Sequence, residues 1–567
     1  MTFAPPNITK FMISAWADLE PYYQGLLERP MDAASVAVCL TDWSELRKLV
    51  DETYARLQLA SFQDTADVEA EQRYYSFLEN LYPKLQAADQ QLKEKLLASR
   101  LEPDGMRVPL MRMRAEAQIF RDENLPLLTE ERKLGSRYSK ITSKQSIQYQ
   151  GETLTLQQSA ARLHTPDRAT REELWRLAAE RQLQDREAIN DLWAQAMNLR
   201  QQVAANADLL DYRAYQWQQL HRFDYTPEDS KNFFDAIAEV AVPAAQRVYA
   251  RHCQRLGLDS LRPWDLEREQ STMRFPGIQA YEKPEDFDAI AEGVFQRVDP
   301  ELGEFFATMR RENLLDLQNR PGKSPGGFCT SFATQQRPFI FMNAVGMETD
   351  VRVLLHESGH AFHMFERSRL PYHHQWRANM EFNEVASTAM EFLAAPYLAK
   401  SKGGFFSEAD AARARVQHLE NTLLFWPYMA IVSSFQHWVY ENPMQSCNPA
   451  HCDAQWSALN KRFMPSLDWS GLDNVLATGW HRKSHIHRYP FYYIEYGLSQ
   501  LGAIQIWANA LEDQAGALAA YRAALALGGT ATIKELYAAA GARLAFDAQT
   551  LGDAVNLLER TILELGG

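Results

Sequence analysis

Two histidines and a glutamate stand at a spacing that can hold and use a divalent ion, in His356-Glu357-Ser-Gly-His360. If this stretch is helical, residues four apart share a face, so both imidazoles can bind one ion. Glu357 lies one step round the helix, where its carboxylate can reach a water held by that ion without being a ligand. Two nitrogen ligands and a proton-accepting carboxylate are the parts of metal-assisted hydrolysis. A third ligand is needed, and the segment from Met380 to Pro396 offers two: Glu384, 24 residues after His360, and Glu381, 21 after it. Either interval leaves room for a helix end, a loop and a second helix, and spacing does not choose between them. Two His and one Glu leave a fourth position for water, the pattern of a catalytic rather than a structural zinc site. Glu391 follows Glu384 by seven residues, on the same helical face, where it could orient a ligand imidazole. His363 reads as a packed histidine, because a fourth protein ligand would close the open position.

These residues need two helices to carry them. Thr349 or Asp350 can cap the start of the first, and Val351, Leu354 and Leu355 give it an apolar face. The second is predicted to end near Pro396. Amphipathic spacing predicts helix over 66–100, 168–205, 228–257 and 505–525 as well. Strand signals are few. Ser146 to Leu156 reads as a hairpin turning near Gly151, and Pro338-Phe-Ile-Phe-Met-Asn343 as a strand shortly before the first site helix. Arg320 to Gly327 is a Pro/Gly-rich loop. The expected fold class is mainly α, divided near residue 200 into an N-terminal helical region (1–200) and a catalytic region (201–567).

The bulk composition narrows the function further. A chain of 567 residues exceeds one small core. Its 59 basic and 73 acidic side chains leave a formal charge of −14, which argues against nonspecific nucleic-acid binding. Five cysteines are too few and too scattered for a disulfide framework. Cys447, His451 and Cys452 lack a second ligand pair at zinc-finger spacing. The N-terminal MTFAPPNITKFMISAWADLE has no basic region followed by a long apolar run, so it does not read as a secretion signal. The apolar stretch Leu423 to Ile431 falls short of the ~20 residues a bilayer requires, and Pro427 interrupts it. No membrane association and a cytoplasmic location are expected.

Several runs together resemble a known family. They are Gly327-Phe-Cys-Thr-Ser-Phe332, Pro338 to Asn343, His356 to His363, Glu381-Phe-Asn-Glu-Val-Ala-Ser387, Phe435-Gln-His-Trp438 and His485-Ile-His-Arg-Tyr-Pro-Phe-Tyr-Tyr-Ile-Glu-Tyr496. The chain is similar over at least 326–500 to the oligoendopeptidase F and Pz-peptidase branch of the thimet-oligopeptidase-like zinc metallopeptidases. The resemblance implies Glu384, not Glu381, as third zinc ligand beside His356 and His360, with one Zn2+ per chain and Glu357 as general base. It implies a zincin-like, two-lobed helical shell around a deep channel, with a small β-sheet beside the site helix. Oligopeptides cut internally are the implied substrates, lying near the 338–343 strand, whose exposed edge could pair with a peptide backbone. His485, Tyr493 and Tyr496 are the implied groups near the scissile carbonyl. A zinc aminopeptidase or dipeptidase would need a group that captures a free terminus. A non-catalytic peptide-binding scaffold would usually have lost Glu357 or a ligand, and here all four are present.

Overall fold

The computed structural model describes residue 13 and residues 15–266, 278–281 and 283–567. Most of the N-terminal stretch read above as no secretion signal lies outside them. The chain is mainly helical with two small sheets. It forms two compact units. The first comprises Met1–Ala117, Gln279–Ala411 and Gly502–Leu544, and the second Gln118–Ile278, Ala412–Leu501 and Ala545–Gly567. Arg200, where the sequence placed a division, lies within the helix Arg186–Asn206 and inside the second unit.

In the second unit, β1 (Ser146–Tyr149) and β2 (Glu152–Thr155) form the expected antiparallel hairpin. Gln150 and Gly151 at its turn both have positive φ, 50° and 84°, as a two-residue turn matching the strand twist requires. Helices expected as single runs at 66–100 and 228–257 each contain a π turn, Phe77–Leu81 and Ile237–Ala241. In both, a proline follows two residues later, at Pro83 and Pro243. The wider turn accommodates a residue that cannot donate to the ladder and would clash with it. Pro427 does not interrupt its helix, as the sequence had indicated. The helix runs unbroken from Glu408 to Glu441, because Leu423, Trp426, Met429, Ala430, Ile431 and Val432 are all fully buried and their packing outweighs one lost backbone bond. No helix among the described residues is long and apolar enough to cross a membrane.

The first unit holds a three-stranded sheet of order β3 (Leu315–Gln318), β5 (Arg337–Ala344), β4 (Phe328–Phe332). β3 runs parallel to β5 and β4 antiparallel to it. This corrects one expectation. The 338–343 strand is central, with both edges paired, so the free edges belong to β3 and β4. Four-residue β3 gave no sequence signal, since its partner residues lie 25 or 26 positions on and its pattern is too short to read.

β5 feeds the helix Glu348–Arg367 through a turn at Val345–Met347, where Gly346 has φ 94°. The helix starts before the residues expected to cap it. Met347 is the N-cap, and Asp350, inside the first turn, reaches back to accept from the N–H groups of Val345, Gly346 and Met347 at 2.8, 2.7 and 2.8 Å. One buried carboxylate thus fixes the angle between strand and helix. Leu354, Leu355, Phe362 and Phe365 anchor the helix on its core side. Phe362 meets Phe295 edge-on at 5.0 Å, and Phe365 stacks on Phe305 at 4.6 Å. Asp350→Ala leaves three amides unpaired. It should destabilise the protein by about 2–3 kcal/mol, with a matching fall in Tm by calorimetry, whereas Asp350→Asn, which keeps an acceptor oxygen, should lose less.

Candidate metal centre

The helix Met380–Ala394 crosses the 348–367 helix at unusually close range. A Cβ on Gly359 would lie 2.6 Å from both the Ala386 carbonyl oxygen and the Ser387 Cα, so only glycine fits. The Tyr521 hydroxyl donates to the same Ala386 carbonyl at 2.7 Å, locking the crossing from the far side. Gly359, Ala386 and Tyr521 were not singled out from sequence. A glycine inside the H-E-x-x-H helix was the available signal, since glycine costs a helix interior about 1 kcal/mol and is retained there only for a reason.

This crossing brings His356, His360 and Glu384 together, with one ligand atom from each within 4.8 Å of the others. His356 and His360 are perpendicular at 5.0 Å between ring centres. The His356 Nδ1 pairs with Glu391 Oε1 at 2.8 Å, while its Nε2 faces Glu384 Oε2 at 3.4 Å. Glu391 therefore fixes the ring and turns Nε2 toward the shared point, the role open to it on sequence grounds. Glu384 and Glu357 are buried, whereas both imidazoles are partly exposed. Glu381, the rival ligand, is buried on another side of its helix, within the field of Arg112 and near the Tyr537 phenol. His363 is buried and packs edge-on against Phe382 at 6.1 Å.

The electrostatics follow from burying three carboxylates and two imidazoles together. Burial disfavours charge on His356, but hydrogen bonds to Glu384 and Glu391 outweigh it and push its pKa up to about 10. His360 is pushed down to about 4, by burial first and then by the charge on His356. Burial would raise Glu384, yet the His356 hydrogen bond and the two imidazoles hold it below the usual carboxylate range. Glu357 rises to about 7, chiefly from burial, with Glu384 and Glu391 adding repulsion. The backbone of Cys329, on β4, lies close enough to the Glu357 carboxylate to oppose that rise. A protonatable carboxylate beside two nitrogens and an oxygen that converge on one point is suited to binding a borderline divalent cation and moving a proton next to it.

His485, Tyr493 and Tyr496 belong to the second unit and also cluster. Ring centres are 4.8 Å apart for His485–Tyr493, 6.1 Å for His485–Tyr496 and 5.7 Å for Tyr493–Tyr496. Tyr493 is buried, with the Lys483 ammonium 3.9 Å above its ring, while His485 and Tyr496 keep partial exposure. The five cysteines are all free thiols, and Cys447, His451 and Cys452 form no metal-binding group.

An H-E-x-x-H helix completed by a carboxylate from a crossing helix, on a mainly helical scaffold with a small sheet, defines a metallopeptidase. The chain belongs to peptidase family M3, whose model matches residues 161–554. The fold is similar to that of Pz peptidase A solved with an inhibitor, at 26% identity and TM-score 0.85 over 98% of this chain and 99% of that one. It is similar at 27% identity and TM-score 0.85 to a protein assigned as an oligoendopeptidase F, over 98% of both chains. A Bacillus anthracis str. Ames protein of the same assignment shares the fold at 24% identity and TM-score 0.80, over 99% of this chain and 97% of that one. Among curated proteins no sequence matches it.

Gly359→Ala tests the crossing. Forcing the helices apart should cost about 2–3 kcal/mol of stability and, by displacing Glu384 from the histidines, weaken metal retention measured on dialysed protein. Ser358→Ala, one residue away on the same helix, serves as the comparison and should keep the metal.

Proposed function

We propose that the protein is a zinc-dependent endopeptidase that cuts internal bonds of short oligopeptides in the cytoplasm. The observation that carries this reading is the convergence of His356 Nε2, His360 and Glu384 beside the buried Glu357, with Glu391 orienting His356. The donor set fits zinc: two imidazole nitrogens, one carboxylate and partial exposure on the histidine side. When bound, zinc supplies a Lewis acid that polarises a scissile carbonyl and acidifies the attacking water.

The chain's own residues supply the proton transfers. Glu357, buried and raised toward neutrality, accepts the proton that the attacking water loses and hands it to the leaving amine. His485, Tyr493 and Tyr496 are the groups assigned to donate to the carbonyl oxygen as it gains negative charge. Their mutual packing and the partial exposure of His485 and Tyr496 support this role. Internal cutting and peptide-sized substrates are supported by the likeness to a protein assigned as an oligoendopeptidase F. Free thiols at all five cysteines support a reducing location.

Two sets of variants separate the roles. Glu357→Gln should retain about one zinc per chain by elemental analysis and lose activity ~10²-fold or more on a quenched oligopeptide. Glu384→Ala should lose the zinc. The reverse pattern would contradict the assignment, and Glu381→Ala should keep both metal and most activity. Tyr496→Phe, which deletes one hydroxyl, should lower kcat by about 10²-fold with zinc content and Tm held. Turnover within a few-fold of wild type for Tyr496→Phe, Tyr493→Phe and His485→Ala would place these rings in the packing alone.

A further inference from the structure

The stripe that carries the two histidine ligands continues beyond them. His356, His360, His363 and Arg367 recur every three or four residues along one face of the 348–367 helix. Arg367 sits about 10 Å further along the axis than His360 at 1.5 Å per residue. Helical side chains lean toward the N-terminus, which carries the guanidinium back toward the metal centre. Its charge is felt at both His360 and His363, helping to hold them neutral. Arg367 is partly buried, enough to push its pKa down to about 10. Yet among the described residues it makes no side-chain hydrogen bond and no ion pair, and the only acidic group acting on it is the Cys329 thiol.

In the same unit Arg112 is matched by the Arg377 carbonyl and Asn379, and Arg522 by Glu366 and Glu301. Glu366, next to Arg367 in sequence, is spent on Arg522 and Arg369 and cannot serve. A guanidinium offers a rigid fork of donors suited to a carboxylate and remains charged at any physiological pH. Placing one beside a peptide-cleaving centre, half out of water and with no anion supplied, leaves the anion to the ligand.

We propose that Arg367 is a substrate-binding residue that pairs with a carboxylate of the bound peptide. This rests on the endopeptidase reading above. An extended chain advances about 3.3–3.6 Å per residue, so the carboxylate would lie two or three residues from the cleaved bond. An acidic side chain and the peptide's own C-terminus present the same chemistry at that distance.

The test uses the zinc-loaded enzyme and one quenched peptide sequence. Glu or Gln is placed singly at the second and third positions on each side of the cleaved bond, and each peptide is made with a C-terminal acid and with an amide. Wild type should favour one carboxylate position over its amide by about tenfold or more in kcat/KM, mainly through KM. Arg367→Met should reduce that ratio to within about twofold, and Arg367→Lys should leave it intermediate. Calorimetric binding of the preferred Glu peptide and its Gln partner to metal-free enzyme should show the same ordering without turnover. A preference that follows the C-terminal acid rather than any side chain assigns the terminus as the source. Cleavage of the Gln peptides with no carboxylate preference in wild type, or a preference that survives in Arg367→Met, overturns the inference. Failure to cleave any peptide overturns the endopeptidase reading instead.

Discussion

The site depends on one close approach between two helices. With no side chain at Gly359, the 348–367 helix lies directly against the backbone of the 380–394 helix at Ala386 and Ser387. Ligands from the two helices can then share one point. Glu384 is two residues before Ala386 and His360 one residue after Gly359, so the ligands flank the contact itself. Any residue larger than glycine would separate the third ligand from the first two. The rest of the unit keeps this crossing fixed: Asp350 sets the helix against β5, Tyr521 holds the Ala386 carbonyl, and Phe295 and Phe305 back the helix core.

The crossing has an electrostatic cost. It puts Glu357, Glu384 and Glu391 within one another's field, all largely buried, against two imidazoles of which only His356 readily carries charge. Buried charge of one sign is expensive unless matched. The cluster shifts accordingly: the charged form of His356 is favoured and the Glu357 carboxyl is raised to about 7, where both its forms are populated at neutral pH. A divalent cation bound there would match the same group of carboxylates more fully and would displace the proton on His356. These perturbations accompany the convergence of His356, His360 and Glu384 on one point, the geometry that makes the cluster a candidate cation site.

Much of this was legible in the sequence, for physical reasons that differ by residue. The H-E-x-x-H spacing and the seven-residue step from Glu384 to Glu391 follow from helical periodicity, which local sequence carries directly. The choice between Glu381 and Glu384 does not, because residues three apart on a helix differ by about a sixth of a turn. Which of them meets the histidines is decided by packing against the other helix, and family resemblance had to supply it. The central position of β5 was misjudged because β3 pairs with it across a loop from four residues of weak pattern. The helix through Pro427 shows burial overriding a local breaker, and the π turns before Pro83 and Pro243 show the backbone adapting to one. Arg367 carried no signal in the sequence, because the lack of a side-chain partner among the described residues is visible only in three dimensions.

The claim on which the account stands is that the buried cluster around His356 is a proton-occupied cation site. Zinc titration of metal-free enzyme at pH 7, by calorimetry in buffers of different ionisation heat, tests it directly. The account predicts about one zinc per chain, with release of about one proton or more as His356 gives up its charge. Binding should be lost in Glu384→Ala and weakened in Glu391→Gln. Zinc uptake without proton release, or uptake unaffected by loss of Glu384, would contradict it.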